Sequence, residues 1–141
     1  MEELAREGRA RLLGISNVTH AQLEELCSRA TILPTFVQNR CFAHDGWDAE
    51  VRSFCKSRGI RYQGFSLLTA NRHALENPEV LRLAAHYRRT VSQLIFRFAL
   101  QSGMIPLTGT TDSSHMREDL SVYDSQELTD ADVRAIETIS G

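Results

Sequence analysis

A chain of 141 residues is long enough for one domain with a substantial buried core. Its 42% hydrophobic and 24% charged content is that of a globular protein, not a disordered or low-complexity one. A net charge of −2 gives no basic field for nucleic acid or an anionic membrane, and no apolar run is long enough to cross a bilayer. A single domain over residues 1–141 is therefore expected. Lys56 is the sole lysine; the other cations are arginines, which grip phosphates and carboxylates but do not serve as bases. Cys27, Cys41 and Cys55 match no zinc or redox spacing, and Cys27 and Cys55 fall at apolar helix positions, where core packing accounts for them. The odd cysteine number and an acidic start without an apolar signal core set a reducing, cytoplasmic compartment as the expectation.

The first element is a helix from Glu2 to Arg9, closed by Gly8. A short strand, Arg11 to Ile15, ends at Ser16-Asn17. Thr19 and Gln22 form a capping box for a helix with Leu23, Leu26 and Cys27 inward. Ile32 to Val37 is the second strand and ends at Gln38-Asn39. Asp48 is the expected cap of a helix with Val51, Phe54 and Cys55 inward, Trp47 stapling onto that face and Gly59 stopping it. Ile60 to Gly64 is the third strand and ends at Phe65-Ser66. Asn77-Pro78 opens a helix with Val80, Leu81, Ala84 and Ala85 inward. A second capping box, Thr90 and Gln93, opens a helix with Leu94, Ile95, Phe98 and Ala99 inward and Gly103 as its stop. Met104 to Leu107 is the fourth strand. A loop rich in Thr, Gly and Ser follows, then a helix capped by Ser113 or Ser114. Leu128-Thr129 starts a last helix with Val133, Ile136 and Ile139 inward.

Strands alternating with helices imply a parallel sheet with right-handed crossovers, whose ligands bind at the carboxyl ends of the strands. Those ends carry Ser16-Asn17, Gln38-Asn39, Phe65-Ser66 and Thr108-Gly109-Thr110. An aromatic ring, several amides and hydroxyls and a glycine loop on one rim suit a planar, amide-bearing, phosphorylated ligand. The loop before the helix at Ser113 can offer backbone N–H groups to a phosphate, and Gly109 lets a ligand approach the main chain.

Leu12-Leu13-Gly14-Ile15-Ser16-Asn17, Val37-Gln38-Asn39-Arg40, Gly64-Phe65-Ser66-Leu67-Leu68 and Ile105-Pro106-Leu107-Thr108-Gly109-Thr110 with Arg117-Glu118-Asp119-Leu120 follow one another along the chain. In order and spacing this set resembles the aldo-keto reductases, which commonly read G-V-S-N, N-Q, Y-S-P-L and I-P-K-S with R-x-x-E-N. The resemblance covers the whole chain and the second half of the family's barrel. It implies a parallel (βα)4 half of a TIM (β/α)8 barrel with a C-terminal helix, binding NADP or NAD for carbonyl–alcohol interconversion by hydride transfer. By the same resemblance, Ser16, Asn17 and Gln38 hold the nicotinamide carboxamide and Phe65 stacks on the ring. Ser66 and Leu68 meet the pyrophosphate. Thr108, Gly109 and Thr110 line the adenosine phosphate region, with Glu118 and Asp119 near the adenine and His115 near the position that meets the 2′-phosphate. Leu107 stands where the family has lysine after its Ile-Pro pair, and Asp119 stands in place of asparagine. The arginine that commonly grips the 2′-phosphate falls near His115, with Arg117 close by, in a loop about two residues longer.

The family's proton-donating tyrosine, its lysine and aspartate partners and its histidine belong to the first half of the barrel, so no catalytic residue is assigned here. Lys56, Tyr62, Tyr87 and Tyr123 place no tyrosine–lysine pair on the rim. His44, His73 and His86 read as surface residues, and Asn71, Arg72 and His73 as a border of a substrate pocket. Four strands cannot close the barrel, so a half of this kind exposes two strand edges and one apolar sheet face. The expectation is thus a fragment or truncated product, a homodimer, or a half awaiting its complement, acting on a small carbonyl substrate only once the barrel is completed. The alternatives are a catalytically silent nucleotide-binding module and a remnant.

Overall fold

In the computed structural model, which describes residues 1–139, four parallel strands form one sheet in the order of the chain. They are β1 (Gly14–Ser16), β2 (Phe36–Arg40), β3 (Arg61–Phe65) and β4 (Met104–Pro106). The helices are α1 (Glu2–Arg6), α2 (His20–Arg29), α3 (Ala49–Ser57), α4 (Arg72–Leu75), α5 (Pro78–His86), α6 (Val91–Gln101), α7 (Ser113–Leu120) and α8 (Asp130–Glu137), with a 3-10 segment at Ala43–Asp48. Ser16 pairs with Gln38, Gln38 with Gln63, Arg40 with Phe65 and Gly64 with Pro106, so all four carboxyl ends share one rim. Among the described residues no helix is long and apolar enough to cross a membrane.

Both capping boxes form: Thr19 and Gln22 bond reciprocally at α2, as do Thr90 and Gln93 at α6. The strands start later than the apolar pattern predicts. Pro34 has no N–H to donate, so the ladder of β2 begins beyond it, with the Thr35 and Phe36 N–H groups both on the Leu13 carbonyl. The Ile60 N–H returns to the Cys55 carbonyl and closes α3, which moves the start of β3 to Arg61. In α5 the buried residues are Val80, Leu83 and Ala84, while Leu81 is 48% exposed and Ala85 faces solvent. The face Val80-Leu83-Ala84-Tyr87 follows helical spacing, and Leu81 falls a quarter-turn off it. The four-residue α4 has no pattern of its own in the sequence.

Asp48 occupies the N-cap position of α3 in a left-handed conformation, φ 59°, but its side chain caps nothing. Its carboxylate instead accepts from Asn39 Nδ2 at 2.8 Å and from the Tyr62 hydroxyl at 2.7 Å, tying β2 to β3 beneath the sheet. Trp47 is fully buried; its indole donates to the Ile136 carbonyl at 3.0 Å and packs edge-on against Phe98. The expected staple onto α3 is thus replaced by an anchor to α8 and α6.

Alternation along the strands sends Val37, Asn39, Tyr62 and Met104 into the helical layer, where the core lies. The other face of the sheet is mixed and not uniformly apolar as expected; Phe36, Phe65 and Ile105 share it with polar residues. It presents Ser16, Gln38 and Gln63, with the Arg40 guanidinium 5.5 Å from the Phe65 ring centre and that of Arg61 5.9 Å from Phe36. The Gln38 amide donates to Gln63 Oε1 at 3.1 Å. Each aromatic ring on this face therefore carries a cation, and the neighbouring amides satisfy one another.

Candidate functional site

The rim is built from strand ends that turn abruptly. Asn17 and Ser66, each the first residue beyond its strand, adopt φ of 56° and 58°. Such left-handed positions cost a non-glycine residue roughly 1–3 kcal/mol and concentrate at functional sites. The Gln38 carbonyl accepts from both Ser16 Oγ, at 2.7 Å, and the Asn17 N–H, at 3.0 Å, which locks the β1 turn onto β2. Asn39 holds the next residue, accepting from the Val18 N–H and donating to its carbonyl.

Between the ends of β3 and β4 lies a cleft of about 770 Å³. Phe65, Ser66 and Leu68 form one wall; Thr108, Gly109 and Thr110 with His115, Glu118 and Asp119 of α7 form the other. Nine of the twelve sequence-predicted site residues therefore border one cavity. Ser16, Asn17 and Gln38 share the rim but lie outside that cavity, toward β1. A Cβ added to Gly109 would meet no protein atom within 4 Å beyond its two chain neighbours, so the space above this residue is open. Thr108 Oγ1 donates to Asp119 Oδ2 at 2.8 Å and closes the loop onto α7.

The start of α7 differs from the expectation. Its cap is Asp112, not Ser113 or Ser114, and the Asp112 carboxylate accepts from the Ser114 N–H at 2.7 Å and the His115 N–H at 3.1 Å. Bonding to the His115 and Ser114 N–H groups holds this carboxyl below its usual range. The cleft also contains residues that sequence reasoning passed over: Thr69, Thr90, Ser92 and Phe96. Thr90 and Ser92 were legible only as the start of α6. Because that helix returns antiparallel to β4, its positive end opens into the cleft.

Other chemically active residues lie elsewhere. The Tyr62 hydroxyl is beneath the sheet on Asp48, and burial raises its pKa far above the ordinary value. Tyr87 donates to Asp132 at 2.6 Å, Tyr123 is exposed beyond α7, and Lys56 is exposed on α3. All three cysteines are buried, and burial pushes the thiols of Cys41 and Cys55 up to about 12 and about 11. His44, His73 and His86 are exposed. Asn71 is buried at 4% exposure and spends its amide on Ala43, Cys41 and Leu67, bracing the β3–α4 connection and not a substrate.

The pattern of the aldo/keto reductase family matches residues 1–140. The chain belongs to the aldo/keto reductase family. It is 31% identical to an uncharacterized oxidoreductase, YtbE, of Bacillus subtilis, covering 99% of this chain and 49% of that protein. It is 29% identical to the glyoxal reductase of the same organism, covering 99% of this chain and 50% of the relative. Among solved structures, an aldo/keto reductase from Brucella melitensis superposes with a TM-score of 0.81 at 26% identity, covering 96% of this chain and 50% of that one. A Bombyx mori aldo-keto reductase in complex with NADP superposes with a TM-score of 0.79 at 25% identity, covering 97% of this chain and 47% of that one. The chain spans about half the length of the curated relatives it matches. The fold is accordingly a (βα)4 unit with a C-terminal helix, corresponding to half of an aldo/keto reductase barrel.

Proposed function

We propose that this chain is the dinucleotide-binding half of an NAD(P)-dependent carbonyl oxidoreductase. The observation that carries this reading is the rim cleft between the ends of β3 and β4, walled by an aromatic ring at one end and a hydroxyl-rich glycine loop at the other. A nicotinamide dinucleotide fits this set of groups. Phe65 offers a ring to stack on from within the cleft, while Arg40, which is no part of the cleft wall, backs it. Ser66, Leu68 and the start of α6 receive the pyrophosphate, where the helix dipole favours negative charge. Gly109 leaves its approach free, and Thr108, Thr110, His115, Glu118 and Asp119 take the adenosine end. Ser16, Asn17 and Gln38 orient the carboxamide from the neighbouring strand ends. In the Bombyx mori relative the bound dinucleotide is NADP.

When bound in reduced form, the nicotinamide supplies a hydride to a carbonyl carbon. The oxygen then needs a proton from a positioned donor. Tyr62 is committed to Asp48 and Tyr87 to Asp132, both away from the cleft. Turnover therefore calls for groups brought to the open face of the sheet by a complementing half or a second copy. Calorimetric titration with NADH and NADPH tests the binding claim; one-to-one binding of at least one of them is expected, and binding of neither overturns it. Incubation with a simple aldehyde tests the second claim: oxidation of either dinucleotide by the chain alone would show that it holds its own proton donor.

A further inference from the structure

We infer that the α7 end of the cleft selects a dinucleotide whose adenosine ribose carries no phosphate, so that NADH is preferred over NADPH. This rests on the placement of the adenosine end at Thr108–Asp119 proposed above. The titratable side chains that wall this end are His115, Glu118 and Asp119, two carboxylates against one imidazole. Among the described residues, no lysine or arginine lines this cleft; Arg117 belongs to α7 but lies outside the wall. A ribose phosphate monoester carries about −1.5 to −2 charges at neutral pH and would face carboxylates of the same sign. A free ribose diol, in contrast, donates hydrogen bonds that a carboxylate accepts; the same logic separates NAD sites from NADP sites in other dinucleotide folds.

Two details sharpen the choice. Thr108 holds the Asp119 carboxylate beside the loop through a 2.8 Å hydrogen bond, fixing one acceptor while leaving its other lone pairs open. At the start of α7, the N–H groups of Ser114 and His115, which would otherwise receive a phosphate, are already bonded to the Asp112 carboxylate. The helix end that offered anion binding thus brings a third negative charge to the loop. Leu107 lines the cleft beside Thr108, so a long cation at this position would extend into the adenosine end proposed above.

Calorimetry of the full chain with NADH and NADPH separates the possibilities. NADH is expected to bind at least about tenfold more tightly. Equal or tighter binding of NADPH would overturn this inference while leaving the proposed function standing; binding of neither would overturn both. Competition against bound NADH gives a second reading on the unaltered protein. AMP is expected to compete and adenosine 2′,5′-bisphosphate to compete at least about tenfold less well; the reverse order overturns the inference. Leu107→Lys, checked for folding by circular dichroism, is expected to narrow the NADH-to-NADPH ratio about tenfold by strengthening NADPH alone. An unchanged ratio in a folded variant places the selective charge elsewhere and overturns the assignment.

Discussion

Asp48 sits where a helix cap belongs, yet its carboxylate serves β2 and β3. Asp48→Ala leaves the Tyr62 hydroxyl without its acceptor and the Asn39 amide with only the Val18 carbonyl, and a loss of about 2–3 kcal/mol in urea unfolding is expected. Tyr62→Phe removes a donor and leaves an acceptor that Asn39 still satisfies, so about 1 kcal/mol is expected. A loss from Asp48→Ala no larger than that from Tyr62→Phe would show that the two bonds are not shared. Glycines divide in the same way. Gly103 has φ of 79° and stops α6, so Gly103→Ala costs about 1–2 kcal/mol in the same experiment. Gly109 has free space above it; Gly109→Ala should leave stability unchanged and weaken dinucleotide binding about tenfold. The Asp112 carboxyl is held below its ordinary 3.8, so its cap on α7 is in place above about pH 4 and is lost as pH falls through the lowered value. Amide exchange at Ser114 and His115 should accelerate beyond its intrinsic pH dependence only in that acid range. Residues such as Asp48 and Asn71 were illegible in the sequence because their partners arrive from distant segments.

Elements were legible where the signal is local. The threonine–glutamine pairs at α2 and α6 bond as their spacing requires, because both partners lie within one turn. Thr90→Ala removes one half of such a pair and should cost about 1 kcal/mol, seen as a lower melting temperature. The same substitution enlarges the cleft at the start of α6, so dinucleotide affinity and stability are best measured together. Strand boundaries were less legible. Pro34 and the closing bond from Ile60 to Cys55 set where the ladders begin, and neither alters the apolar pattern. The inward face of α5 turned on whether Leu81 or Leu83 shared a stripe with Val80; both spacings are helical, and the packing of α5 on α6 and α8 decides between them.

Topology follows from alternation of strands and helices, which left one arrangement for the carboxyl ends. What alternation does not carry is how the tail is fastened. Arg97 is 7% exposed, donates to the Val122 carbonyl at 3.2 Å and pairs with Glu127 at 2.8 Å; Gln101 bonds both backbone groups of Leu128. Arg52, half-buried, pairs with Glu137 and reaches the Trp47 and Ser102 carbonyls. Arg97→Ala should cost about 2–3 kcal/mol and loosen residues 121–139 ahead of the sheet, which proteolysis followed by mass spectrometry would reveal. A variant that unfolds in one step with intact tail protection would contradict this ordering. The cation-covered rings of the open face were equally hidden, because only the strand register sets Arg40 over Phe65 and Arg61 over Phe36.

The indole of Trp47, the lone tryptophan, is shielded from water between α6 and α8. A domain of this length has a radius of gyration of about 14 Å, so any chromophore on the rim lies within reach of resonance energy transfer. Reduced nicotinamide absorbs where indole emits. One fluorescence trace would therefore register two events without added dye: quenching on docking of the proposed dinucleotide, and a red shift when the tail peels away and the ring meets solvent.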